Sequence, residues 1–128
     1  MYPEDRVYTE EHEWVKREGD GDEVTLGITQ FAQEELGDVV FVELPEIGSR
    51  FAAGGEMGTI ESVKAVAELF TPVACEVIAV NETVVDTPEL LNEDPHGNGW
   101  LVRLRLEEPS VLDSLMTASA YQEHVEAG

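Results

Sequence analysis

Basic residues are scarce in this chain. Seven Lys and Arg stand against 28 Asp and Glu among 128 residues, which gives a formal net charge of −21. Because proteins bind nucleic acids and anionic membranes through Lys and Arg, this composition argues against both as partners. The acidic residues are spread along the chain, and at about 1 M salt the screening length falls to about 3 Å. We therefore interpret the composition as halophilic, in preference to an acidic interaction tail.

Cysteine and long apolar runs are scarce as well. The one cysteine, Cys75, excludes an internal disulfide, and without a nearby histidine we interpret it as a small buried hydrophobe. No apolar run approaches the roughly 20 residues of a membrane span. Residues 1–6 are charged, unlike a signal peptide, so we expect a cytoplasmic protein. The length predicts a single domain over 1–128, with its core at about 8–108 and a C-terminal helix at about 110–125.

The usual motifs of enzymes and metal sites are missing. His12-Glu13 would need a second histidine at position 16 for a zinc-protease site, and Lys16 stands there. A loop that begins at Asn92 resembles the start of a calcium loop, but the carboxylate that should close it is replaced by Arg103. Gly97-Asn98-Gly99 lacks the strand and helix of a dinucleotide site. We therefore predict no catalytic residues and no metal.

Short extended segments predominate in what remains. A Gly/Asp cluster between two such segments predicts a β-hairpin over 14–28, and Thr29 and Gly37 bracket a short helix over 30–36. Further strands are predicted at 38–44, 57–62, 65–70, 76–80 and 100–106. A brief helix is predicted at 87–91 and a final helix at 110–125. This pattern predicts a mainly β fold, a small barrel or sandwich with short helices and a C-terminal helix.

Lys64 is one of only two lysines, and it falls between two predicted strands. A lysine at a hairpin tip is usually a solvated group without a function. In a chain that has nearly eliminated lysine, however, a tight turn would let a modifying enzyme reach the ε-amine and let an attached arm move freely. The residues alone make Lys64 a candidate attachment point and do not name the attached group.

The segment Glu61-Ser62-Val63-Lys64-Ala65 resembles the lipoylation motif of the glycine cleavage system H-protein family. Further similar blocks occur in the family's order from Tyr8 to Tyr121, nearly the whole chain. They are Glu11 to Val15, Leu26 to Gln33, Leu36 to Asp38, Val42 to Pro45, Val77 to Asn81, Pro88 with Leu90 to Asn92, Gly99 to Leu101, and Leu112 to Met116 with Tyr121. One block would be weak evidence, whereas the ordered set is specific.

The resemblance implies a hammerhead-like β-barrel of the lipoyl/biotinyl type, with lipoate amide-linked to Lys64. It implies a carrier without catalysis of its own, which takes an aminomethyl group from glycine decarboxylase to an aminomethyltransferase. Dihydrolipoamide dehydrogenase then reoxidises the dithiol by thiol–disulfide exchange. A lipoate ligase or lipoyl transferase would attach the cofactor, and we expect a monomer because a carrier visits several enzymes.

Two acidic residues are candidates for a cleft that holds the loaded arm. The aminomethyl group carries an ammonium, and carboxylates in a partly water-excluded cleft would stabilise it. Glu13, in the N-terminal block, and Glu68, four residues beyond Lys64, are our candidates. The alternative is that they are two of many surface acids.

One segment departs from the family pattern. Ala74-Cys75 stands where the family usually has a small residue followed by glycine, which would suit a turn with positive φ. Either Cys75 tolerates that backbone or the turn differs.

Three other functions stay open at the level of sequence. A biotin carrier would share the fold, but its lysine is typically flanked by methionines, and Val63 and Ala65 flank this one. A lipoate depot for other enzymes would keep the same lysine. An unmodified acidic interaction module would use Lys64 as an ordinary lysine.

Overall fold

Two antiparallel sheets form the body of the protein. The computed structural model describes residues 2–19 and 21–127, and the strands in these ranges are β1 (Val7–Tyr8), β2 (Glu13–Arg17), β3 (Glu23–Ile28), β4 (Val39–Glu43), β5 (Arg50–Phe51), β6 (Glu56–Ser62), β7 (Val66–Phe70), β8 (Cys75–Val80) and β9 (Val102–Leu106). The larger sheet has the order β1-β2-β3-β9-β8-β5, and the smaller has the order β4-β6-β7. The predicted mainly β fold is confirmed.

Side-chain alternation places the core between the sheets. On β9 the side chains of Val102, Leu104 and Leu106 are buried, whereas Arg103 and Arg105 point to the other face of the sheet. The same period of two is expected of a strand with one solvated face. One continuous apolar cluster joins this face to buried side chains of the smaller sheet, among them Val42 and Ile60.

The helices are short and lie at the ends of strands. They are α1 (Gln30–Leu36), α2 (Glu82–Asp86), α3 (Leu90–Glu93) and α4 (Ala118–Ala127). Thr29 caps α1 by accepting a hydrogen bond from Ala32 N, and Gly37 ends it at φ 79°, as the sequence predicted. No helix in the described ranges is long and apolar enough to cross a membrane.

The predicted C-terminal helix is present, but its predicted range of about 110–125 is wrong. A 3₁₀ helix occupies Pro109–Ser114, and α4 begins only at Ala118. Between them Met116 pairs with Tyr8, each donating its N–H to the other's carbonyl at 2.9 and 2.8 Å. Because these bonds use both backbone groups of Met116, that residue cannot belong to a helix.

The backbone at Ala74-Cys75 is ordinary. Among the described non-glycine residues only His12 has a positive φ, so Cys75 adopts no left-handed conformation. Its side chain is fully buried, and it begins β8 opposite Phe51 and Leu106. The turn before this strand therefore does not need glycine.

Candidate functional site

Lys64 lies at the tip of the β6–β7 hairpin. Ser62 shapes the tip, because its Oγ accepts hydrogen bonds from the N–H groups of Lys64 at 3.3 Å and Ala65 at 3.0 Å. Its own N–H donates to the carbonyl of Ala65 at 2.8 Å. A short hydroxyl side chain that bonds to the backbone two and three residues ahead is a common way to fix a tight turn. The hairpin therefore presents Lys64 in a defined position with its side chain exposed.

The turn between α1 and β4 supports the hairpin tip. The carbonyl of Asp38 accepts the N–H of Val63 at 3.1 Å. The aliphatic part of the Lys64 side chain passes over Gly37, where an added Cβ would lie 3.3 Å from Lys64 Cε. Gly37 has φ 79° and ψ −153°, a conformation that essentially only glycine adopts. The tip of the hairpin thus rests on a turn that requires glycine.

Asn92 in α3 fixes the turn between α1 and β4 through hydrogen bonds of its side-chain amide. Its Nδ2 donates to Gln33 Oε1 and to the carbonyl of Gly37, both at 2.8 Å. Its Oδ1 accepts the N–H of Val39 at 2.9 Å. One amide therefore links α1, the following turn and β4, and it supports the surface on which Lys64 rests.

Apolar side chains flank the lysine on the surface. Val63 is 70% exposed and Val66 is 62% exposed, although exposed large aliphatic side chains are disfavoured in water. Glu61 and Ala65 are exposed as well, whereas Ser62 is buried. The predicted attachment motif is therefore almost wholly available to another protein.

Glu13 is a buried carboxyl group on the wall of a cavity. Its residue is 3% exposed, and it lines a cavity of about 480 Å³ together with Thr9 and Phe70. Thr9 Oγ1 donates to Oε1 at 3.1 Å, and Phe70 N donates to Oε2 at 3.3 Å. Burial raises the pKa of Glu13 to about 7, against the lowering effect of these two hydrogen bonds. The group can therefore exchange a proton or pair with a cation near neutral pH.

Glu68 lies on the surface of β7 and does not line that cavity. Its carboxylate raises the pKa of the exposed Glu56 on the neighbouring strand. Side chains two apart on a strand share a face, so Glu68 lies on the face of Phe70, ~7 Å from it along β7 at about 3.3 Å per residue. The structure thus places Glu68 between the lysine and the point where Glu13 contacts β7.

The chain matches known proteins over nearly its whole length. The family model described as glycine cleavage H-protein matches residues 6–128. The chain belongs to the glycine cleavage H-protein family. A glycine cleavage system H protein of Rubrobacter xylanophilus is 60% identical over 111 residues, 86% of each chain. One of Chromohalobacter salexigens is 54% identical over 125 residues, 98% of this chain and 95% of the relative.

A solved structure supports the fold as well. The crystal structure of a glycine cleavage system H protein from Mycobacterium marinum has a TM-score of 0.88 with this chain at 39% identity, and the match covers 98% of this chain and 99% of the other. Members of the H-protein family are the lipoyl-bearing carriers of the glycine cleavage system. This chain is therefore a carrier subunit that works with the other components of that system.

Sequence reasoning missed the supporting residues of this H-protein site. Asp38 and Asn92 lay within the blocks that resemble the family, but nothing in them indicated a contact with the hairpin. Gly37 was predicted as a helix stop, and its contact with Lys64 was not. The partners of Asn92 lie 53 to 59 positions away in sequence, so only the folded chain reveals them.

Proposed function

We propose that Lys64 carries lipoate in amide linkage to its Nζ. The observation that carries the proposal is the position of this exposed lysine on a hairpin tip that Ser62 and Asp38 hold in place. The other lysine differs, since Lys16 lies inside β2 with its Nζ 3.8 Å from a carboxylate oxygen of Asp5. Of the two lysines, Lys64 alone lies in a turn that a modifying enzyme can enter.

The residues around Lys64 fit this modification. An amide bond removes the lysine's charge, and within the described ranges Lys64 forms no ion pair that would be lost. A lipoate ligase or lipoyl transferase would recognise the exposed Glu61, Val63 and Ala65, while the buried Ser62 keeps the turn in shape. Bound to Lys64, lipoate would supply a redox-active disulfide, of which one sulfur can accept the aminomethyl group while the other is released as a thiol. The chain itself supplies a rigid base for the arm and no catalytic group.

Glu13 and Glu68 are proposed to stabilise the cationic end of the arm between partners. An ammonium near Glu13 would favour the ionised carboxylate, and a partly water-excluded site strengthens the attraction. The support is the burial of Glu13 on a cavity wall and the position of Glu68 between that cavity and Lys64. The structure does not bring the two carboxylates into contact, so they would act in succession, Glu68 on β7 and Glu13 where β2 approaches Phe70.

The partners proposed for this chain follow from its place in the system. They are glycine decarboxylase, an aminomethyltransferase that releases the one-carbon unit and ammonia, and dihydrolipoamide dehydrogenase. We propose a monomeric, single-domain carrier in the cytoplasm. Fractionation of native cells and light scattering at several salt concentrations test the location and the oligomeric state.

The deciding experiment is the intact mass of the protein from its native cells, with a peptide map across Lys64. We expect a lipoyl adduct on this lysine. Lys64→Arg should abolish the adduct, and the matched Lys16→Arg should keep it. A biotin adduct would move the function to carboxyl transfer, and an unmodified Lys64 in native cells would refute the proposal.

A second experiment tests the carboxylates. In the lipoylated protein, Glu13→Gln and Glu68→Gln together should speed the release of the aminomethyl group to water in the absence of the next enzyme. Glu10→Gln and Glu35→Gln, both exposed, form the matched control. Equal release rates in the two double variants would contradict the proposed role.

A further inference from the structure

A groove on the outer face of the larger sheet collects three of the chain's seven cations. Arg6, Lys16 and Arg103 line this groove of about 300 Å³, and Glu18 is the one carboxylate on its wall among the described residues. The strand register brings two of these cations together, because Lys16 on β2 and Arg103 on β9 pair with Thr25 of β3 from its two sides. In a protein of net charge −21, this local excess of positive charge is opposite in sign to the rest of the surface.

Arg6 is built into the floor of the groove. Its side chain is only 8% exposed, and its guanidinium lies 4.5 Å from the centre of the Trp14 ring. It donates to the carbonyl of His96 at 2.7 Å and to Asp5 Oδ1 at 2.8 Å. A cation that is stacked and hydrogen-bonded in this way is held in place before any ligand arrives, which lowers the entropic cost of binding.

The other two cations have donors to spare. Arg103 approaches Glu18 only to 3.6 Å, and Lys16 approaches Asp5 only to 3.8 Å, distances of ion pairs and not of hydrogen bonds. Glu18 instead accepts a hydrogen bond from Thr25 Oγ1 at 2.7 Å. Arg103 Nε is buried and has no acceptor among residues 2–19 and 21–127. A buried donor without a partner is costly, whereas the rest of the Arg103 side chain, which is 39% exposed, can be reached from the groove.

We propose that this groove binds a small oxyanion, a phosphate or carboxylate group, between Arg103, Lys16 and the fixed Arg6. A guanidinium presents its N–H groups as a planar fork that matches such groups, and an ammonium adds a point charge beside it. Trp14 and Trp100 contribute aromatic walls to the same groove. The groove shares no lining residue with the cavity at Glu13, so this site is independent of the role proposed for Lys64.

The two tryptophans make the site measurable. They are the only ones in the chain, and both line the groove, so tryptophan fluorescence and the indole N–H signals in NMR report on it directly. The full-length protein is titrated with inorganic phosphate and, separately, with acetate, with ionic strength held constant by potassium chloride. We expect a saturable change with at least one of the two anions. A preference for phosphate assigns a phosphorylated ligand, and a preference for acetate assigns a carboxylate such as a peptide terminus.

Variants separate a site from a general effect of charge. Arg103→Gln should weaken binding by about tenfold or more, since it removes charge-assisted hydrogen bonds. The matched control is Arg105→Gln, which lies two residues away on the same face of β9 and pairs with Glu23 and Glu76 outside the groove. Lys16→Gln, at a half-exposed position, serves as a second test if Arg103→Gln does not fold. The absence of saturable binding, or an equal loss in the Arg103 and Arg105 variants, would overturn the proposal.

Discussion

At the scale of single residues, Glu13 combines burial with a titratable group. Its pKa rises from the ordinary glutamate value of 4.5 to about 7 on folding, chiefly because burial disfavours the carboxylate. The folded state therefore holds a proton that the unfolded state releases between these two values. A group of this kind stabilises the fold fully below pH 4.5, and its contribution is lost as the pH rises through 7.

The loss of stability with rising pH should be absent from the variant Glu13→Gln. A glutamine can keep both neighbours, accepting from Phe70 N and donating to Thr9 Oγ1, without a charge to bury. The free energy of unfolding of the native protein, relative to that of the variant, should fall by about 3 kcal/mol between pH 4.5 and 7.5. Urea unfolding at a series of pH values measures this difference. Glu10→Gln, which removes an exposed carboxylate, is the control. A pH profile of Glu13→Gln that runs parallel to that of the native protein would contradict the assignment.

At the scale of elements, the hairpin that carries Lys64 depends on the α1–β4 turn and on α3. Asn92 connects these parts through three hydrogen bonds. An aspartate in its place could still accept from Val39 N, but it could not donate to Gln33 or Gly37. The carboxylate would then face the carbonyl oxygen of Gly37, and two partly buried acceptors would lose their partner.

We therefore expect Asn92→Asp to lower the free energy of unfolding by about 1–3 kcal/mol. It should also slow the attachment of lipoate to Lys64, because the turn beneath the hairpin loses its support. Asn98→Asp makes the same chemical change on an exposed loop and should have little effect on either quantity. Urea unfolding and timed mass spectra of the modification reaction measure the two effects. Equal losses in both variants would show that added charge, and not the lost bonds, is the cause.

Element prediction succeeded where the pattern was local. The β2–β3 hairpin, α1 and the strands on either side of Lys64 each have their own turn residues or alternation, and all are present. The two-residue strands β1 and β5 were missed, because they exist only through pairing with distant partners. The helix α2 was not predicted. The final helix was predicted too long, because its apolar pattern continues across Met116, whose backbone pairs with Tyr8.

The functional site, like the elements, could be predicted only in part. Lys64 could be recognised from the scarcity of lysine, its place between strands and its motif. The residues that support the hairpin could not be predicted, because the sequence around a side chain such as Asn92 does not indicate which backbone groups it will contact in the fold. The groove at Arg6, Lys16 and Arg103 was missed for the same reason, because three separate segments contribute to it.

At the scale of the whole molecule, the excess of acidic residues is the dominant electrostatic feature. Most carboxylates in the described ranges form no ion pair, so the folded chain repels itself at low ionic strength. Salt screens this repulsion, and at about 1 M it acts over only about 3 Å. The composition thus favours a fold that is more stable in concentrated salt than in dilute buffer.

We predict that the melting temperature rises by several degrees between about 0.05 and 1 M potassium chloride. Calorimetry or circular dichroism measures the rise. A variant with Gln at the exposed positions Glu10, Glu35, Glu107 and Glu123, which make no side-chain hydrogen bond or ion pair within the described residues, should show a smaller rise. If the two proteins respond equally to salt, screening of carboxylate repulsion is not the reason for the stabilisation.

The pairing of β3 with β9 also sets the order in which the chain folds. It joins Leu26 to Val102, whereas the β6–β7 hairpin joins segments only a few residues apart. Closing a long loop costs more entropy than closing a short one, and pairing of distant strands is the slow part of folding in β proteins. We therefore expect the hairpin to assemble early during synthesis. The six-stranded sheet is completed only after residues 102–106 have left the ribosome.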